Sequence, residues 1–419
     1  MRDIQPTLPD LFRVFGRIGV TSFGGPAAQI ALMHKELVDD RPWLTEKQFL
    51  SALSFCMLLP GPEAMQLATY SGWKLKGTIG GLLAGLLFVL PGALVILALA
   101  LGYAYWGDLP AVQSVFLGIK ATVIVIVLQA LAKVSRKALK TVDAYVIAAL
   151  SFVGIYLLDL PFPLIIAVAG TWGALKSVEM AKSEVQRPTA TGTLRTILIW
   201  GAVWFLPFPV LWSVNAGLLT ELAEFFSVLA VVTFGGAYAV LAYMTQAVVG
   251  DFGWLTTPEM IDALGLAETT PGPLILVTEF VGILAGVKEG GLWLGVIAGI
   301  VTLWVTFAPC FLWIFVGAPY LHWLSDQPRI SNALSSISAA VVGVILNLSV
   351  WFSLNVFFAE VANVSLLGGE APFPTLSSLI YEAAGLAVIA AIILLIFKRP
   401  MLQTLVIMGA FGFLVSLFV

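Results

Sequence analysis

Charge is the scarcest commodity in this chain. Of 419 residues, 11% are Asp, Glu, Lys or Arg and 60% are hydrophobic. A soluble domain carries about 25% charged residues, so a water-soluble globular enzyme is excluded. The net charge of −3, with no basic run, also excludes a nucleic-acid partner and intrinsic disorder. The two cysteines, Cys56 and Cys310, sit in apolar stretches and form neither a disulfide framework nor a CxxC redox pair. With two histidines, His34 and His322, far apart in sequence, no His/Cys metal or haem site is expected, and no cofactor. GxxxxGK[ST] is missing, which removes ATP hydrolysis by that route. The opening MRDIQPTLPD has no signal-peptide hydrophobic core, so the N-terminus is expected in the cytoplasm.

What is present is apolar length, with a mean hydropathy of +1.00. A helix crossing a bilayer needs roughly 20 apolar residues. Thirteen stretches qualify: 11–33, 48–72, 78–105, 111–132, 143–158, 161–178, 195–213, 222–249, 258–285, 290–317, 332–356, 376–397 and 401–418. Counted by side, sixteen of the 21 Lys and Arg fall with the N-terminus and four opposite, Lys120 lying within a span. The positive-inside bias predicts a cytoplasmic N-terminus, a periplasmic C-terminus and an odd number of spans. The fold class expected is an all-α polytopic membrane protein of about 12–13 helices.

The chain repeats itself. Phe23-Gly24-Gly25, Trp43-Leu44-Thr45 and Pro60-Gly61-Pro62 recur 211 residues later as Phe234-Gly235-Gly236, Trp254-Leu255-Thr256 and Pro271-Gly272-Pro273. Between Phe15 and Pro62 that offset gives 18 identities in 48 positions. Further on the offset becomes 218, pairing Pro91 with Pro309 and Gln129 with Asn347. Seven spans precede the second copy, so it should run upside down, as in the inverted repeats of secondary transporters. The expected organisation is a first repeat over 1–190, a linker helix over 191–221 and a second repeat over 222–419, with the loop between halves at 182–194.

Glycine and proline then locate the midplane. Gly24-Gly25-Pro26 and Pro60-Gly61-Pro62 interrupt otherwise apolar helices, because Pro lacks an N–H and Gly is free to turn. A break inside hydrocarbon is tolerated only where the freed backbone groups face protein or a water-filled cavity. Half-helix N-termini pointing inward would suit an anion. Thr21, Ser22, Thr233, Thr269 and Thr270 would supply hydroxyl donors beside Gly24, Gly25, Gly61, Gly235, Gly236 and Gly272. Close helix packing is the other use of paired glycines.

Charges within spans default to functional roles. Arg17 and Lys120 are candidates to neutralise a dianion, or else to snorkel or pair with a buried carboxylate. Glu63, Glu268 and Glu279 flank the Pro-Gly-Pro motifs and are candidates to carry a coupling proton, the alternative for Glu63 and Glu268 being helix capping.

At these residues the chain resembles the chromate ion transporter family in its long, two-domain form. The resemblance is carried by FGRIGVTSFGGPAAQI (15–30), LPGPEAMQLATYSGW (59–73), GIKATVIVIV (118–127), TFGGAYAVLAYM (233–244) and AETTPGPLILVTEFVGILAG (267–286). Ala237 follows the second Gly-Gly, so the stronger kink belongs to the first half. The resemblance implies efflux of chromate, a tetrahedral dianion shaped like sulfate, across the bacterial inner membrane, and hence chromate resistance. Membrane potential, proton antiport or both would drive it. The alternatives are a passive oxyanion channel of the same architecture and an intramembrane chromate-processing enzyme. Lipid and a second copy of the chain, as a homodimer, are the expected partners besides the anion.

Overall fold

The computed structural model describes residues 6–176, 190–234, 237–325, 327–366 and 369–417. Gly235, Gly236 and most of the expected 182–194 loop lie outside the described residues. The first half runs through α1 (Leu8–Thr21), α2 (Gly25–His34), α3 (Glu46–Cys56), α4 (Glu63–Trp106), α5 (Pro110–Ala138), α6 (Val142–Tyr156) and α7 (Phe162–Leu175). Next come α8 (Ala190–Phe205) and α9 (Pro207–Ser213). The second half holds α10 (Gly217–Val232), α11 (Ala237–Gln246), α12 (Thr257–Thr269), α13 (Val277–Gly317), α14 (Leu321–Ser325) and α15 (Pro328–Phe357). A hairpin of β1 (Val361–Leu366) and β2 (Gly369–Pro374) precedes α16 (Tyr381–Ala391) and α17 (Met401–Val415). Among the described residues, five helical stretches are long and apolar enough to cross a membrane: 63–106, 110–138, 192–213, 274–320 and 328–357. The protein is an all-α polytopic membrane protein.

Local chemistry is duplicated along with the sequence. Thr45 opens α3 with a capping box, its hydroxyl accepting from Gln48 N–H at 3.3 Å while Gln48 Oε1 accepts from Thr45 N–H at 3.0 Å. At the same offset of 211, Thr256 and Glu259 make the reciprocal pair at α12, at 2.7 and 3.4 Å. At about 1.5 Å per residue, α4 and α13 are each roughly twice the thickness of a hydrocarbon core. Each therefore folds back on itself, α4 at Lys76-Gly77 (Gly77 φ 63°) and α13 at Gly290-Gly291 (Gly291 φ 80°). The arms meet tightly: a Cβ on Gly72 would lie 2.2 Å from Gly80 O, and one on Gly286 2.7 Å from Gly295 Cα.

The sequence reading expected nothing between spans 332–356 and 376–397, where the β-hairpin lies. Its strands pair antiparallel from Val361↔Pro374 to Leu366↔Gly369. The insertion moves the offset from 218 to 239, read from Val142 to Tyr381 (381 − 142 = 239). Phe162 and Met401, the first residues of α7 and α17, keep the same offset (401 − 162 = 239).

Contacts divide the chain into two compact units. The first comprises Met1–Leu101, Val178–Ala237 and Thr270–Ser331. Its core includes the fully buried Phe15, Phe55, Phe88, Phe226 and Phe280. Within it Trp200 packs on Phe311 and Phe315, and Trp304 Nε1 donates to Val203 O at 2.8 Å. His34, at the end of α2, meets Glu46 at 2.6 Å, which raises the histidine's pKa. This contact is charge-assisted below that raised pKa and weakens as pH climbs through it. The second unit comprises Gly102–Ser177, Tyr238–Thr269 and Asn332–Val419. There α5 and α17 cross at glycines: a Cβ on Gly118 would lie 1.8 Å from Met408 O, and one on Gly412 2.4 Å from Ser114 O.

This crossing makes a prediction. Gly118→Val should cost about 1–3 kcal/mol or more through overpacking, read as a lowered melting temperature in detergent. Gly16 sits inside α1 with nothing within 4 Å of an added Cβ. Gly16→Ala should leave melting unchanged or raise stability by about 0.5–1 kcal/mol.

Candidate anion-binding cleft

The predicted helix breaks are present in the first unit. α1 stops at Thr21 and α2 starts at Gly25, with Gly24 left-handed at φ 91°. α3 stops at Cys56 and α4 starts at Glu63, with Gly61 at φ 113°. Pro271-Gly272-Pro273, with Gly272 at φ 88°, leads through a 3-10 turn (Leu274–Leu276) into α13. Side chains rarely adopt such φ values, and a Cβ on Gly61 would also meet Gln66 Nε2 at 2.9 Å and Cys310 Sγ at 3.1 Å.

The backbone groups freed by these breaks satisfy one another across the repeat. Gly61 N–H donates to Thr233 O at 2.8 Å, and Gly272 N–H donates to Ser22 O at 2.9 Å. Adding 211 to Ser22 and Gly61 gives Thr233 and Gly272, so each half makes to the other the bond it receives.

Beside these bonds lies a small cleft lined by Pro26, Gln29, Gly61, Pro62, Glu63, Ala64, Pro273, Leu274 and Ile275. It gathers the first turns of α2 and α4 and the 3-10 entry to α13, whose leading N–H groups have no partner within their own helix. Among the described residues that line it, Glu63 is the ionisable one and there is no Lys, Arg or His.

Gln29 is the residue that sequence reasoning passed over. It is 2% exposed, and its Nε2 donates to Gly272 O at 2.6 Å and Ser22 O at 3.3 Å. Both amide protons are thereby used, which orients the amide and leaves Oε1 buried without a hydrogen-bond partner. Gln66 repeats the theme, donating to Pro60 O at 2.6 Å and leaving its own Oε1 unpartnered. The available signal was a lone carboxamide inside an apolar motif, in PAAQI and again in EAMQLA.

The hydroxyls differ from expectation. Thr21 donates to Arg17 O at 2.8 Å, Thr269 to Leu266 O at 2.7 Å and Thr233 to Leu229 O. A hydroxyl has one proton, so these three close the last turns of their own helices and have none to offer an anion. Thr270 is buried, and Ser22 Oγ is buried without a partner.

The expected cations are already paired. Arg17 points outward, its side chain 64% exposed, and meets Glu36 Oε1 at 3.4 Å, with Arg41 on the other oxygen. Lys120, in the second unit, pairs with Asp262 Oδ1 at 2.9 Å, and Tyr103 donates to Asp262 Oδ2 at 2.7 Å. The buried carboxylate that Lys120 answers is thus Asp262, on α12, and not one of the glutamates beside the Pro-Gly-Pro motifs. In the same unit Tyr238 donates to Glu268 at 2.9 Å. Glu279, in the first unit, is 3% exposed on the first turn of α13, with Oε2 unpartnered.

The Lys120–Asp262 pair gives the second prediction. Removing one member of a buried pair leaves an uncompensated charge, at a cost of about 3–5 kcal/mol. Lys120→Met and Asp262→Asn should each lower the amount of folded protein in detergent extracts. The double variant should recover it. Transport by the recovered double variant near the wild-type rate would assign the pair to folding; its loss would assign Lys120 to the anion's path.

The sequence profile of the chromate transporter family matches this chain over residues 9–174 and 220–414. The chain is 30% identical over 342 residues to the probable chromate transport protein of Synechococcus elongatus, covering 81% of this chain and 83% of that protein. It is 30% identical over 349 residues to the chromate transport protein of Cupriavidus metallidurans, covering 81% of each. With the chromate transport protein of Pseudomonas aeruginosa it shares 32% identity over 346 residues, 80% of this chain and 79% of the relative. No solved structure matches it. With both halves of the chain matched, this polytopic membrane protein belongs to the chromate transporter family.

Proposed function

We propose that this chain is a secondary transporter that exports chromate across the bacterial inner membrane, driven by the membrane potential. The observation that carries the reading is the cleft, where the first turns of α2 and α4 and the entry to α13 meet around Gln29. Helix N-termini attract anions through their dipoles and unpaired N–H groups. The family's relatives, named as chromate transport proteins, supply the substrate.

The reciprocal bonds Gly61→Thr233 and Gly272→Ser22 support two repeats related by a twofold axis, because exchange of halves maps one bond onto the other. With an odd number of preceding spans, the repeats, 1–190 and 222–419 joined by 191–221, have opposite topology. That arrangement suits alternating access around one site. It also carries the proposed cytoplasmic N-terminus and periplasmic C-terminus. Sulfate, a dianion of the same shape, is the competing substrate class.

Voltage is the drive this cleft supports. Moving a negative charge out of a cell that is negative inside is favourable by about 2.3 kcal/mol per charge per 100 mV. Proton antiport through Glu63 needs substrate and proton to exclude each other. A carboxylate beside an anion does the reverse, since its protonation relieves repulsion and lets the anion enter.

Everted inner-membrane vesicles with voltage and pH gradient set independently test this. Chromate uptake into them should saturate, follow an inside-positive voltage with no pH gradient, and persist in Glu63→Gln. Uptake that follows only the pH gradient and disappears in Glu63→Gln would establish antiport instead. Uptake without saturation would identify the passive channel.

A further inference from the structure

The second unit holds a cavity of about 400 Å3, within the roughly 300–1,000 Å3 of small-molecule sites. Its walls are the end of α6, α11 with the turn that follows it, the start of α12, α15 and the β-hairpin. Tyr156, at the end of α6, fastens the hairpin by donating from its hydroxyl to Pro372 O at 2.7 Å.

The walls select for charge. Among the lining residues Asp159 carries the one formal charge, and there is no Lys, Arg or His. Gln246 Nε2 donates to Asp159 Oδ1 at 2.8 Å, and Asn355 Nδ2 donates to Trp351 O at 2.8 Å. A carboxylate and a carbonyl only accept, so each carboxamide has its nitrogen turned to its partner and its oxygen left over. Three oxygens therefore remain as acceptors: Asp159 Oδ2, Gln246 Oε1 and Asn355 Oδ1. Trp351 and Tyr156 add aromatic surface.

The duplication sharpens the contrast. Five lining residues have basic mates in the other copy. At the offset of 211, Thr245 and Gln246 face His34 and Lys35; at 218, Trp351 and Asn355 face Lys133 and Lys137; at 239, Asp159 faces Lys398. Asp159 and Lys398 share one loop conformation, at φ 50° and 49°. Sorting of charge between the two membrane faces accounts for the missing cations. It does not account for a carboxylate, two aromatic residues and two oriented carboxamides around one cavity.

We propose that this cavity is a binding site for an organic ammonium group, with Asp159 as its counter-ion, Gln246 Oε1 and Asn355 Oδ1 accepting from it, and Trp351 and Tyr156 as its aromatic walls. Carboxylates with aromatic faces recognise ammonium ions by charge and by cation–π attraction. The cavity is far larger than a bare metal ion needs. Two sources carry this chemistry, the head group of an ethanolamine lipid and a free amine. The site is separate from the broken-helix cleft and does not depend on the transport reading.

The experiment is calorimetric titration of the full-length protein in nanodiscs of phosphatidylglycerol, which contain neither amine nor sugar. Choline and ethanolamine are the probes. Both should bind saturably, and 3,3-dimethylbutan-1-ol, the uncharged isostere of choline, should bind at least about tenfold more weakly. Asp159→Asn keeps a residue type that tolerates the left-handed loop and should weaken choline about tenfold or more. Asp159→Lys, which places in this loop the residue that its mate Lys398 already provides, should abolish binding. An unchanged melting temperature in both variants confirms that they are folded. Adding phosphatidylethanolamine to the nanodiscs distinguishes the sources: loss of choline binding identifies the lipid head group, and unchanged binding identifies a free amine. Choline binding that survives Asp159→Lys, or an alcohol that binds as well as choline, overturns the proposal. So does sulfate or methyl glucoside displacing choline at equal concentration, which would make the cavity an anion vestibule or a sugar site.

Discussion

The constraint on which this structure depends is that a backbone amide in hydrocarbon must find a partner. A helix meets it automatically, and a broken helix does not. The chain breaks helices at Gly24, Gly61 and Gly272, and it meets the constraint by letting the breaks bind each other. Gly61 reaches Thr233 and Gly272 reaches Ser22, and these bonds require a left-handed turn at each glycine. The motifs that look like defects in an apolar helix are therefore the joints by which the two halves hold together. What remains unpaired after that closure is the first turn of each new half-helix, which is where an anion is favoured.

The ionisable side chains follow the same economy. Arg17 and Arg41 share Glu36, and Lys120 and Tyr103 share Asp262. Pairing at these points keeps the cations available for folding and leaves the cleft with dipoles, Glu63 and a carboxamide oxygen.

Much of this was legible in the sequence because membrane helices obey a simple length rule and because duplication doubles each signal. The spans, the break positions and the two-copy plan follow from apolar runs and from three tripeptides in register. The kink at Lys76-Gly77 falls in the gap between the predicted spans 48–72 and 78–105, whereas that at Gly290-Gly291 falls on the first residues of the predicted span 290–317. Harder to read were features set by tertiary partners. Nothing local tells Lys120 to choose Asp262 across 142 positions (262 − 120 = 142). The threonine hydroxyls could equally have faced outward, and only the helix ends show that they close on their own carbonyls. The β-hairpin at 361–374 escaped a reading tuned to apolar length, although Gly368-Gly369 and the alternation of Asn363, Val364 and Ser365 mark it.

Duplication also isolates what the second copy has lost. At the offset of 211, Gln29 faces Val240, Gln66 faces Val277, Glu63 faces Leu274 and Pro26 faces Ala237. The joints are common to both copies, while the polar groups around the cleft belong to the first copy alone. A symmetric scaffold needs both copies of a joint, since each bond is completed by the other half. It does not need two copies of a recognition group.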